Sequence, residues 1–170
     1  MMNKLLLGVL VISLAGCSAK YSESILDKPE ENLVRDKPII IAEPAKGSYG
    51  SIQYIDSGKM TAEAIKTAFS PYADTVTIKS ECRDLVCLSK AIGTSNGYYV
   101  VPEILHWEDR ATEWSGIPDK IDIKLSVYDG SQKRVASTLL SGKSKWMTFG
   151  GDHPQDLLAD PINNYVKSLY

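Results

Sequence analysis

The chain predicts an α/β fold, a mixed sheet in two or three layers with the element order β-α-β-α-β-β-β-α, closing on an antiparallel hairpin and a C-terminal helix. Three observations carry that expectation. The continuous β-branched run Pro38-Ile39-Ile40-Ile41-Ala42 has the pattern of a strand covered on both faces, which is the habit of parallel strands. Ile121 to Tyr128 instead alternates apolar and mainly polar residues without a break, as a strand with one wet face does. Between and after them, three stretches carry apolar residues at helical spacing.

Taken in order, the chain opens with MMNKLLLGVLVISLAGC, where Lys4 precedes an apolar run from Leu5 to Leu14. A bilayer span needs about 20 apolar residues, so this run has the length of a secretory signal and is expected to be removed. The segment from Ser18 to Lys37 mixes both charge signs with few large apolar residues and reads as a flexible tether over residues 17–37. The domain is then expected over 38–170. Glu43 to Gly58 is rich in Gly, Ser and Tyr and reads as a long loop between the first strand and a helix. Ser57 is placed to cap that helix, in which Ile65, Ala68, Phe69 and Tyr72 recur at helical spacing and which Pro71 ends.

Asp74 to Ile78 gives a second strand, and Leu85, Leu88 and Ile92 give a short second helix from about Asp84. Tyr98 to Trp107 is the third strand, with Pro102 marking a bulge or an unpaired position. Asp129-Gly130 turns the chain from the alternating strand into a last one over Lys133 to Phe149. Leu157, Leu158, Pro161, Ile162, Tyr165, Val166 and Leu169 keep one phase, so a single helix from Asp152, kinked at Pro161, is preferred over two, although Asp160-Pro161 is also a restart signal.

The residues Leu14-Ala15-Gly16-Cys17 resemble the lipobox of bacterial lipoproteins. That resemblance implies cleavage before Cys17, lipid on its thiol and acylation of the new amino group; several acyl chains on one residue anchor stably. Ser18 follows where Asp would retain the protein in the inner membrane, which implies an outer-membrane address facing the periplasm. Cys82 and Cys87 remain, and in an oxidising compartment they are expected to pair, provided Cys82 lies outside the second helix. The element order on a lipid anchor is similar to the small α/β domains of the curli secretion lipoprotein family and of LpoB-type activators. Gly97-Tyr98-Tyr99-Val100-Val101-Pro102-Glu103-Ile104, Trp107-Glu108 and Asp122 to Tyr128 resemble an uncharacterised family of Gram-negative envelope lipoproteins, which has no activity to carry over.

Composition narrows function by exclusion. With 19 Lys and Arg against 21 Asp and Glu, a net charge of −2 and no basic cluster in the sequence, nucleic-acid binding has no electrostatic support. H-E-x-x-H does not occur, and Ser141-Gly142-Lys143-Ser144 lacks the glycine that a phosphate loop needs at Ser137. No cofactor or metal is therefore expected. The pieces for an enzyme are His106, His153, Glu103, Glu108 and Asp109, from which a hydrolase would take His106 as its base. Contact residues are sought instead in Gly47, Ser48, Tyr49, Gly50 and Ser51 at a strand's C-terminal end, and in the aromatic side chains of Trp107 and Trp114. Trp146 with Phe149 lies near the end of the last strand, and core packing is the favoured alternative to contact for both Trp107 and Trp146. The expectation is a membrane-tethered, non-catalytic accessory or binding subunit whose partner is an envelope protein or a glycan.

Overall fold

The computed structural model describes residues 19–92, 96–110, 117–145 and 153–170. Its strands are β1 (Lys20–Asp27), β2 (Ile39–Ala42), β3 (Gly47–Tyr49), β4 (Ile52–Tyr54), β5 (Val76–Lys79), β6 (Tyr98–Glu108), β7 (Lys120–Tyr128) and β8 (Arg134–Lys143). Its helices are α1 (Ser57–Phe69), α2 (Leu85–Ile92) and α3 (Ala159–Ser168), with one turn of 3₁₀ helix at Pro154–Leu157. Six strands form the main sheet in the order β1-β8-β7-β6-β2-β5, and β3 with β4 forms a separate hairpin.

The apolar run of β2 sits between β5 and β6, parallel to both. Ile39 and Ile41 face a core shared with Ile65 and Phe69 of α1 and Ile162 and Val166 of α3. Ile40 and Ala42 face the other way, into a smaller cluster with Cys82, Leu88, Tyr99 and Val101. This half of the sheet therefore has three layers. β7 pairs antiparallel with β6 and β8, and its Ile121, Ile123, Leu125 and Val127 are buried while Lys120, Asp122 and Lys124 on the other face are half-exposed. That half has two layers.

α1 buries Gly58, Thr61, Ala62, Ile65, Ala68 and Phe69, the one-sided stripe that its spacing demands. Cys82 and Cys87 are bonded, with Cα atoms 5.3 Å apart; Cys82 lies in the turn before α2 and Cys87 within it. Asp84 caps α2, its carboxylate accepting the Cys87 N–H at 2.8 Å.

Five expectations are corrected. The tether over 17–37 is too long, because Lys20–Asp27 is an edge strand paired antiparallel with β8. Its polar, charged and largely exposed residues are those of a protected sheet edge, which in sequence look like a linker. The loop 43–58 holds the β3–β4 hairpin. Ser57 makes no cap: its hydroxyl accepts the Gly47 N–H and donates to the Tyr54 carbonyl, both at 2.7 Å, tying the hairpin's ends to α1. The bulge lies between Ile104 and His106 and not at Pro102, which is in register with Leu125 but, past the residues that pair with β2, holds an unpaired position on that side. The last helix is two pieces, for Pro161 falls in the first turn of α3, where no intrahelical partner waits for its missing N–H.

Candidate functional site

The C-terminal end of β6 gathers most of the polar residues that the sequence singled out. His106, Glu108 and Lys120 lie on one face of the sheet, Glu108 opposite Lys120 and His106 opposite Asp122. The Glu108 side chain is almost fully buried, yet it meets three nitrogen-bearing side chains. His106 Nε2 is 2.9 Å from one carboxylate oxygen and Lys120 Nζ 3.7 Å from the same one, and Arg110 Nε donates to the other at 2.5 Å. Burial works against this charge, but hydrogen bonds from His106 and Arg110 and the charge of Lys120 outweigh it, so the Glu108 pKa lies below the ordinary carboxylate value.

Arg110 carries the network outward to the hairpin. One guanidinium nitrogen donates to the Tyr49 hydroxyl at 2.7 Å, while Cζ stands 4.7 Å from the centre of the same ring. His106 meets that ring edge-on, with centroids 5.4 Å apart. Tyr49 is thus fixed in place and still 37% exposed. The hairpin reaches it by close packing: a Cβ on Gly47 would stand 2.5 Å from the Trp107 Cβ, and Gly50 turns the chain at φ +57°. Ile52 and Ile55 on the same hairpin are exposed.

A second set of contacts braces the chain after β6. The Asp109 N–H donates to the Tyr54 hydroxyl at 3.2 Å, and the Arg110 N–H to the Asp119 carboxylate at 2.5 Å. Asp119 and Ser144 exchange two bonds, the Asp119 N–H to Ser144 Oγ at 2.9 Å and the Ser144 N–H to the Asp119 carbonyl at 3.0 Å. Burial, and after it the charge of Asp109, raises the Asp119 pKa above the ordinary value. The two carboxylates of this end are therefore displaced in opposite directions.

The sequence candidates divide accordingly. Tyr49 is at the centre of the site. Trp107 is not a contact residue: it is 2% exposed and packs in the main core beneath Gly47. Trp114, Trp146, Phe149, the helix start at Asp152 and the anchor residue Cys17 lie outside the described residues. His106 pairs with Glu108, whereas His153 stands 3.8 Å from Asp109, so the two histidines serve separate pairs. Among the described residues no three His, Cys, Asp or Glu side chains form a group able to hold a metal ion. Glu103 is held by Lys124 at 2.8 Å on the open sheet face. Arg110 and Lys120, which the sequence reading passed over, complete the network; two isolated cations carry no motif, and only the register of β6 with β7 brings Lys120 to Glu108.

Comparison with known proteins places the chain. The family model described as "Domain of unknown function (DUF4823)" matches residues 31–169. No curated protein matches. Among solved structures, a single-substitution variant of the PelC dodecamer from Paraburkholderia phytofirmans aligns with a TM-score of 0.60 at 11% identity, over 88% of this chain and 98% of that one. A second PelC dodecamer from the same organism gives 0.56 at 12%, over 89% and 96%. A DUF330 protein from Xanthomonas campestris gives 0.52 at 12%, over 88% and 93%. At such identities the likeness is one of fold.

Proposed function

The chain belongs to the DUF4823 family, and on that premise we propose that it is a lipid-anchored, periplasm-facing lipoprotein of the outer membrane, acting as a non-catalytic binding subunit of an envelope complex. The observation that carries the reading is Tyr49, a partly exposed aromatic side chain held by Arg110 and His106 over a buried, fully engaged Glu108. A ring that is already immobilised loses little entropy on contact, which favours recognition. His106 and Glu108, the residues an acid–base reaction would draw on, are directed at each other. The lipobox at Cys17 supports the anchor, and a similar fold that builds a dodecamer in PelC supports a role within a multi-subunit assembly.

The glycan-binding alternative has one observation in its favour, the same Tyr49 ring beside a guanidinium, a pairing that suits sugar hydroxyls. Crosslinking in cells, with the tagged chain compared with Cys17→Ala, separates these readings. The expected result is enrichment of one envelope assembly that the Cys17→Ala control loses. Retention on purified envelope glycan with no protein captured would contradict the subunit role and favour the alternative.

A further inference from the structure

At the end of the sheet where β6 and β8 finish and β1 and β7 begin, three lysines stand in register on neighbouring strands. Lys20 is opposite Lys143, and Lys143 is opposite Lys120. Register partners share a face, so three ammonium groups lie side by side, an arrangement that destabilises a sheet. The row ends on Glu108, opposite Lys120, which already accepts from His106 and Arg110. Among the described residues Lys20 and Lys143 form no ion pair, and both are exposed. A shallow groove of about 290 Å³ runs along the row, where the three lysines outnumber one carboxylate residue, Asp122, and the rest of the lining is uncharged. A fold that sets three like charges together is complementary to an anionic surface.

The chain itself indicates which surface. Lys20 follows Cys17 by three residues, and an extended chain reaches at most about 3.6 Å per residue, so Lys20 is within roughly 11 Å of the lipid attachment point. That distance is close to the Debye length of about 8 Å at physiological ionic strength. We propose that Lys20, Lys120 and Lys143 dock on the anionic phospholipid headgroups of the bilayer that holds the anchor. The docking rests on the anchor of the proposed function and adds an orientation to it. The Tyr49 rim lies at the same end of the sheet, so its partner is met close to the membrane.

The test is lysine acetylation mapped by mass spectrometry on the full chain isolated from the envelope and mixed with excess vesicles. One vesicle set contains phosphatidylglycerol, the other phosphatidylcholine alone. Lys20, Lys120 and Lys143 are expected to react on the order of 10-fold more slowly or less with the anionic vesicles, with the rate restored at about 1 M salt, where screening falls to about 3 Å. Lys28 and Lys133, at the opposite end of the sheet, keep their rates. Equal rates with both lipids would overturn the docking, and so would equal protection by inorganic phosphate without vesicles, which marks a free-anion site. The mass of the Cys17 peptide is read in the same digest: a peptide without acyl chains overturns the anchor, while the two-lipid contrast still decides the docking. Lys20→Gln with Lys143→Gln is expected to lose the lipid contrast while melting no lower than the parent chain, whereas a structural role for the row would lower its melting.

Discussion

The half of the sheet built on β2, β5 and β6 is covered on both faces, and the half built on β7, β8 and β1 is covered on one. In the first half nearly every side chain of β2 is a packing residue, so a change there acts on stability. In the second, alternate positions of β7 hold the core while Lys120, Asp122 and Lys124 between them are half-exposed. The rim between the halves, where β6 leaves β2 and continues beside β7, is where buried charge and an exposed aromatic ring meet. Function is read from the rim and the open face because the doubly covered half leaves little surface to offer.

The contrast can be broken most strongly in the doubly covered half. Ile41→Ala removes a fully buried side chain between α1 and the sheet and is expected to cost 2–5 kcal/mol, on the order reported for large-to-small core changes, measured by denaturant unfolding. Replacing Cys82 and Cys87 together by Ala opens a short closed loop on the other face and is expected to cost about 2 kcal/mol on the chain-entropy account.

At the rim the effects are smaller and opposite in sign. Glu108 has a lowered pKa, so its stabilisation is present above the ordinary carboxylate value and is lost as pH falls through its folded value. Asp119 has a raised pKa, so its contribution is present at low pH and is lost as pH rises through its folded value. Thermal melts should therefore show Glu108→Gln below the parent chain at neutral pH and Asp119→Asn above it, with both differences shrinking in acid. On the open face, Lys124→Ala removes one exposed partner of Glu103 and is expected to change stability by no more than about 0.5 kcal/mol.

The same contrast decides what the sequence could reveal. Ile39 to Ala42 and Ile121 to Tyr128 announce their environments because burial on two faces and on one leave different periods in the chain. β1 is an edge strand whose polar residues have no period to show, and β3 and β4 are three residues each, too short for alternation to register. The disulfide was legible because two cysteines spaced around a helix start leave few arrangements. The site was legible in part: Tyr49 and the His106–Glu108 pair are marked by residue type, while Arg110 and Lys120 enter through strand register and a hairpin folded back on β6. Trp107 shows the converse, an aromatic side chain of the kind that contacts use, placed by the alternation of β6 against the core.

The central claim is that Tyr49 is a contact residue held by a rigid polar network. The most direct test compares Tyr49→Ala with the parent chain in crosslinked capture from cells and in thermal melting. The account predicts that capture of the envelope partner falls at least about 10-fold, the equivalent of losing roughly 1.4 kcal/mol of binding, while the melting temperature is unchanged. Unchanged capture, or a loss of capture that simply follows a loss of stability, would contradict it.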